Sequence, residues 1–236
     1  MRYALHTATN YAGTPLFLRG CLTDWNNFLK LDKELGILEE NTISLVAARY
    51  TKALAVEAVA HFASIMEPGD VLLGSNSSHG TQVPDNDGDE QNGFDEALLD
   101  NNGAYILDDE IAAGLRKFKP GTLVVAFLDN CHAGTMDRGI NQTNWHLMNS
   151  DVRCNAAFFF GCKEDQTAAD AYINNEYQGA LTYYALKVLR ECDFNITYRE
   201  LLRAVNNLLS STGYRQIAQL AVTSEQLLDK KIFSVY

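Results

Sequence analysis

Apolar and polar residues alternate along the chain in a way that predicts alternating strands and helices. Strands are expected at residues 3–8, 42–47, 122–128, 156–160 and 215–223, with another that begins at 70–74. Helices, with apolar side chains three or four residues apart, are expected at 22–35, 51–66, 108–117, 176–191 and 197–211. The segment 122–128 is almost continuously apolar, which is typical of a strand buried on both faces. The pattern predicts an α/β fold with a mainly parallel central sheet flanked by helices.

No repeat, low-complexity stretch or linker interrupts the 236 residues, so we expect a single domain over 1–236. The 30 acidic residues outnumber the 19 basic ones and give a formal net charge of −11, which leaves no broad basic surface for nucleic acid. No segment is apolar for the length of a membrane helix, and the first residues lack the apolar run of a signal peptide. We therefore expect a soluble cytoplasmic monomer that binds neither nucleic acid nor membranes.

The five cysteines are an odd number, and none forms a Cys-x-x-Cys pair, so neither a disulfide framework nor a zinc site is favoured. At least one of them is a candidate working thiol. Cys154 and Cys192 are expected to be small core residues.

Residues 75–103 are expected to form a long polar loop, and the acidic residues concentrate here. Ten of the 30 lie between Asp85 and Glu110, and no Lys or Arg occurs from Ala53 to Leu115. One interpretation is a solvated acidic surface, and the other is a Ca²⁺ site, because clustered carboxylates supply the hard oxygen ligands that Ca²⁺ prefers. An EF-hand is excluded because a loop that starts at Asp85 has Glu90 where that motif requires a glycine.

Two predicted strands end next to reactive side chains. His79 follows the third strand, and Cys131 follows the buried strand 122–128. Catalytic groups collect beyond the carboxyl ends of parallel strands, and strands joined by one crossover are often neighbours. His79 could then activate the Cys131 thiol as a nucleophile, although one of five cysteines and one of five histidines could also meet by chance.

Several segments, in the same order along the chain, match one family of proteins. They are residues 77–90 with 93–97 around His79, residues 129–135 around Cys131, residues 161–170 with 179–182, and residues 10–13 with 18–24 near the start. Together they resemble metacaspases, the caspase-like cysteine peptidases, and in particular the short prokaryotic members called orthocaspases. The resemblance implies a caspase-like fold and cleavage of proteins or peptides after Arg or Lys, usually dependent on Ca²⁺.

The resemblance also implies roles for individual residues. Cys131 corresponds to the nucleophile and His79 to its general base or thiolate partner, and the backbone N–H groups of Gly80 and Cys131 correspond to the oxyanion donors. The residues that correspond to the specificity pocket are Asp24, Asp129, Cys21 and Ser77. A cationic P1 side chain needs carboxylates at the base of its pocket, which agrees with this assignment.

The family's calcium ligands correspond to Asp95, Asp108, Asp109 and Asp137. Asp137 lies about one residue earlier than the family pattern, with Arg138 next to it. A second departure is Ser78, which stands where the family usually has glycine and is expected to alter the turn before His79. The chain lacks a long insertion between Thr135 and Asn155, as the short prokaryotic members do, so the resemblance does not imply self-cleavage into two chains.

Two alternatives remain open. A caspase-like peptidase that cleaves after Asp would need basic pocket residues, whereas the matching positions hold Asp24 and Asp129. A proteolytically silent, caspase-like calcium-binding or scaffold protein would be favoured by the loss of His79 or Cys131, and both are present.

Overall fold

The computed structural model describes residues 1–84, 93–130, 144–148, 151–162 and 170–234. Its strands are β1 (Arg2–Ala8), β2 (Thr42–Val46), β3 (Val71–Ser77), β4 (Gly80–Pro84), β5 (Phe94–Leu99), β6 (Tyr105–Leu107), β7 (Leu123–Asp129), β8 (Trp145–Leu147), β9 (Asn155–Phe160), β10 (Asp170–Ile173), β11 (Glu176–Gly179) and β12 (Gln219–Val222). Its α-helices are α1 (Cys21–Glu34), α2 (Lys52–Ile65), α3 (Asp108–Leu115), α4 (Ala180–Glu191) and α5 (Tyr198–Ser211).

A seven-stranded sheet in the order β2-β1-β3-β7-β9-β12-β8 forms the centre of the molecule. The first five of these strands are parallel to one another, β12 is antiparallel to β9, and β8 is parallel to β12. The predicted α/β fold with a mainly parallel sheet is therefore confirmed.

Two apolar layers cover the faces of this sheet. Leu73 and Val125 belong to the layer that α1, α4 and α5 complete, while Leu72 and Val124 belong to the layer beneath α2 and α3. Successive side chains of one strand point to opposite faces, so β3 and β7 contribute to both layers. Every residue of β7 is buried, as its continuous apolar sequence predicts.

The prediction of one long loop at 75–103 is wrong. β3 continues to Ser77, and β4, β5 and β6 form a separate antiparallel sheet. These strands mix polar and apolar residues over only three to six positions, so their sequence carries little periodic signal. Strand β8 was also missed, because it is three residues long.

Two further predictions need correction near the last helices. Residues 176–179 are a strand rather than the first turn of a helix, and they pair with β10 across Asn174 and Asn175. Both asparagines have positive φ (52° and 66°), the geometry of a tight hairpin turn that asparagine tolerates well. Cys192, predicted to be in the core, is exposed at the end of α4, whereas Cys154 is buried as expected.

None of the four cysteines in the described part of the chain forms a disulfide. No helix in that same part is long and apolar enough to cross a membrane.

Candidate active site

The carboxyl ends of β3 and β7 lie side by side, as predicted from their single crossover. The two strands are parallel, and Ser77 pairs directly with Asp129. His79 follows Ser77 by two residues, and Cys131 follows Asp129 by two residues. Cys131 itself lies outside the described residues, which include His79 and the strand that precedes Cys131.

Asp24 and Asp129 are brought together at these strand ends. Asp24 lies in the first turn of α1 and is 1% exposed, while Asp129 ends β7 and is 7% exposed. The hydroxyl of Ser77 donates a hydrogen bond of 2.6 Å to Oδ2 of Asp24. Cys21, one helical turn before Asp24, is also buried. All four residues expected to form the pocket are therefore buried at the edge where β3 and β7 end.

The N-terminus of α4 holds both carboxylates. The Gly179 amide donates to Oδ1 and Oδ2 of Asp24 at 2.9 and 3.1 Å, and the Thr182 amide donates to Oδ2 of Asp129 at 2.8 Å. The first amides of a helix have no partner within the helix, and its dipole favours negative charge there. Backbone groups therefore compensate part of the cost of burying two carboxylates.

Gly179 has no room for a side chain between the two carboxylates. A Cβ atom there would collide with Oδ2 of Asp129 and would lie 2.9 Å from Oδ2 of Asp24. Apolar periodicity did not reveal this role, although Gly179 and Thr182 both lie in a segment that resembles metacaspases.

His79 is oriented by backbone and phenol groups. Its Nε2 atom lies 2.8 Å from the carbonyl oxygen of Leu16, which can only accept, so Nε2 carries the hydrogen and Nδ1 is left to exchange a proton. The His79 amide donates to the hydroxyl of Tyr11 at 3.0 Å, and that hydroxyl donates to the Leu99 carbonyl at 2.6 Å. Burial raises the pKa of Tyr11 to about 12, so the phenol keeps its proton near neutral pH.

Three of the proposed calcium ligands lie at one end of the β5–β6 pair. Ala97 pairs with Leu107, and Asp95, Asp108 and Asp109 are each within two residues of that pair. Asp95 and Asp108 are 5% and 9% exposed, whereas Asp137 lies outside the described residues. Across the residues that are described, no group of three or more His, Cys, Asp or Glu side chains is arranged to hold a metal ion by itself.

The family model described as the caspase domain matches residues 1–229. The chain belongs to the caspase-domain family. As a caspase-domain protein, it is similar over 93% of its length to Metacaspase-1B of Aspergillus niger, with 27% identity, and over 94% to Metacaspase-1 of Scheffersomyces stipitis, also with 27% identity. A shorter match, 33% identical over 57% of this chain and 35% of the relative, is to Metacaspase-1A of Aspergillus fumigatus.

The caspase-domain chain aligns with only part of the first two relatives, covering 64% and 71% of their lengths. A crystal structure of protein GSU0716 from Geobacter sulfurreducens has the same fold, with a TM-score of 0.78, 23% identity and coverage of 100% of this chain and 99% of that one. These comparisons agree with the metacaspase resemblance of the sequence and with the caspase-like fold.

Proposed function

We propose that this caspase-domain protein is a cysteine endopeptidase that cleaves proteins or peptides after Arg or Lys, with Cys131 as nucleophile and His79 as its proton partner. The observation that carries the proposal is the buried pair Asp24 and Asp129 at the strand ends next to His79. Two carboxylates that flank one glycine match a guanidinium or ammonium group, which can be held by charge-assisted hydrogen bonds. An aspartate at P1 would instead meet like charge.

The proposed reaction begins from a Cys131 thiolate and a His79 imidazolium. The sulfur forms a bond to the scissile carbonyl carbon while the carbonyl π electrons move to oxygen, where the N–H groups of Gly80 and Cys131 would stabilise them. As the C–N bond breaks, the leaving amine takes a proton from His79. Water then attacks the thioester and gives its proton to His79, and the departing sulfur restores the ion pair.

The carbonyl of Leu16 supports this role for His79. It fixes the hydrogen on Nε2, so every proton that moves in the reaction moves through Nδ1. The ring also packs 5.0 Å from the ring of Tyr11, centroid to centroid, which limits its rotation. One nitrogen is thus reserved for orientation and the other for proton transfer.

We also propose that Ca²⁺ activates the enzyme and that Asp95, Asp108, Asp109 and Asp137 hold it. Burying two carboxylates in one place is costly unless positive charge or hydrogen bonds compensate it, and a divalent cation supplies charge that six to eight oxygens can share. Because the described residues do not form a complete metal site, the proposal requires ligands from outside them, Asp137 among them.

The test is hydrolysis of matched fluorogenic peptides with Arg, Lys or Asp at P1, with and without Ca²⁺. We expect the parent to cleave the Arg and Lys peptides in Ca²⁺, Cys131→Ala and His79→Ala to lose this activity, and all proteins to keep the same circular dichroism spectrum. Cys192→Ala removes an exposed thiol far along the chain from these strands and should retain full activity. No hydrolysis of any peptide would favour the calcium-binding or scaffold alternative, and a preference for Asp would refute the pocket assignment.

A further inference from the structure

Three buried polar side chains join the ends of β3 and β7, and we call Asn76, Ser78 and Asn130 the polar clasp. Asn76 pairs with Leu128 and Ser77 with Asp129, so the same register continued by one residue sets Ser78 opposite Asn130. Their exposed fractions are 4%, 3% and 1%. The clasp therefore lies in the interior, and two of its members directly precede His79 and Cys131 in the sequence.

The amide of Asn130 is the centre of the clasp. Its Nδ2 atom lies 2.7 Å from Oδ1 of Asn76, 2.8 Å from the carbonyl oxygen of Ser78 and 3.0 Å from the Ser78 hydroxyl. The Ser78 hydroxyl in turn donates to Oδ1 of Asn76 at 2.9 Å. Two hydrogens thus serve three acceptors in a site that water does not reach, which makes the arrangement sensitive to the loss of any member.

The clasp is anchored to the rest of the sheet. Nδ2 of Asn76 donates to the Thr7 hydroxyl on β1 at 2.7 Å and to the Tyr50 hydroxyl at 2.8 Å. Burial raises the pKa of Tyr50 well above its ordinary value, so its hydroxyl stays protonated. On the other side, the buried Cys162 thiol lies 3.5 Å from the carbonyl oxygen of Asn130. The residue before Cys131 is therefore held through both its side chain and its backbone.

We propose that Ser78 and Asn130 are positioning residues for the dyad, because they fix the backbone immediately before His79 and Cys131 relative to each other. The inference rests on the proposed function, since it assigns the clasp a role in thiol activation. Proton exchange between a thiol and an imidazole depends steeply on their separation, and a shift of about 1 Å in a catalytic group can cost about a hundredfold in rate. A hydroxyl at position 78, which the family usually lacks, supplies one of the bonds that set this separation.

The experiment compares the parent with Asn130→Ala, Ser78→Ala and the double variant. Ser78→Ala removes only a hydroxyl and keeps the test informative if Asn130→Ala does not fold. The matched control is Asn206→Ala, which removes an asparagine of α5 whose side chain donates to the Ala218 carbonyl and accepts from the Ala218 amide, next to β12 and with β9 between it and β7. Three quantities are measured: kcat and KM on an Arg peptide, the pH dependence of Cys131 alkylation by iodoacetamide mapped by mass spectrometry, and amide hydrogen exchange over residues 76–80.

We expect each single variant to lower kcat about ten- to a hundredfold with little change in KM, the size expected for losing buried hydrogen bonds that hold a catalytic group. The pH midpoint for Cys131 alkylation should rise toward that of a free thiol, and residues 76–80 should exchange faster. The double variant should lose less than the product of the two single effects, because both side chains belong to one network. Asn206→Ala should change none of these quantities beyond a loss of overall stability.

Two results would overturn the inference. One leaves the proposed peptidase function intact, and the other refutes that function as well. If the parent is active but both single variants keep its kcat, alkylation midpoint and exchange rates, the clasp does not position the dyad, and the proposed peptidase function stands. If the parent cleaves no peptide and its Cys131 is alkylated like a free thiol, the proposed function and this inference both fail.

Discussion

Asp24 and Asp129 lie in a different sequence and structural setting from Asp95, Asp108 and Asp109. The pocket pair accepts hydrogen bonds from backbone amides at the start of α4, and those donors are part of the fold. The three carboxylates beside the β5–β6 pair lie instead in a stretch of 63 residues, Ala53 to Leu115, that contains no Lys or Arg. Two of these three lie in the first turn of α3, where the helix dipole favours them.

This difference indicates which of the two acidic regions should depend on a bound divalent cation. Backbone donors stay in place when a substrate leaves, so the proposed pocket would be ready to receive a cationic side chain. Ten acidic residues lie between Asp85 and Glu110; like charges repel one another, and a divalent cation relieves that repulsion. We therefore expect the pocket to decide specificity and the acidic region beside β5 to decide the response to Ca²⁺.

The largest effect is expected from neutralising the pocket. Asp129→Asn keeps the shape and an oxygen that can accept from the Thr182 amide, but it removes the charge that we propose lies opposite the P1 cation. We expect kcat/KM for Arg peptides to fall by a factor that corresponds to about 2–5 kcal/mol of transition-state free energy, the cost of truncating one side of a buried charge pair. Initial rates at low substrate concentration measure this loss.

The control for this variant is Asp193→Asn, the same substitution at an exposed turn, which should change nothing. Alkylation of Cys131 by a neutral reagent should also be little affected, because it does not use the P1 pocket. If the Asp129→Asn protein cleaves Arg peptides at the parent's rate, the charge of Asp129 does not select the substrate. The expectation that the proposed pocket decides specificity would then be wrong.

A smaller effect is expected in the acidic region beside β5. Chelation should lower the parent's activity about 5- to 150-fold, the usual range of coupling between two sites, and Ca²⁺ should restore it. Mg²⁺ should restore it poorly because it dehydrates reluctantly. In Asp108→Ala/Asp109→Ala, the activity should stay low at Ca²⁺ concentrations that saturate the parent.

The matched control is Glu39→Ala/Glu40→Ala, which removes the same charge from an exposed acidic pair elsewhere. It should bind Ca²⁺ like the parent in titration calorimetry. Unchanged activity in excess chelator, or no detectable heat of Ca²⁺ binding to the parent, would return the acidic residues to the simpler interpretation of a solvated surface.

The parallel part of the fold was predictable because its signals are local and strong. The continuous apolar run of β7 and the single crossover from β3 were enough to place the ends of the two strands together, and the observed pairing of Ser77 with Asp129 confirms it. That register sets His79 close in sequence to a residue that pairs with Asp129, whereas the position of Asp24 depends on how α1 packs against the sheet.

The contacts that complete the site were not predictable from periodicity. A glycine is needed at position 179 because the carboxylates of Asp24 and Asp129, which are distant in sequence, occupy the space that a side chain would fill. No local sequence pattern indicates this. The carbonyl of Leu16 and the hydroxyl of Tyr11 meet His79 through a segment with mostly exposed residues, where apolar spacing carries no signal. The paired asparagines 174 and 175 did carry a turn signal, and it marks the turn before β11, whose residues 176–179 were predicted as the start of a helix.

Tyr11 links the backbone of His79 to strand β5, and it gives the smallest expected effect. Its hydroxyl accepts from the His79 amide and donates to Leu99 at the end of β5. Burial raises its pKa to about 12, above the value of about 10 in an unfolded chain. The neutral phenol therefore contributes stability that is complete below pH 10 and is lost as the pH rises from about 10 to about 12.

Tyr11→Phe should lower the free energy of unfolding by about 1 kcal/mol at pH 8, the net worth of its hydrogen bonds.

The difference in unfolding free energy between the parent and Tyr11→Phe should shrink as the pH approaches 12, because only the parent has this phenol to ionise. Urea unfolding followed at pH 8, 10 and 11 measures that difference, and the other groups that titrate in this range cancel between the two proteins. Tyr105→Phe, at a ring that is 47% exposed on β6, should show no such change. A difference that stays constant from pH 8 to pH 11 would mean that Tyr11 does not join His79 to β5 through a protonated hydroxyl.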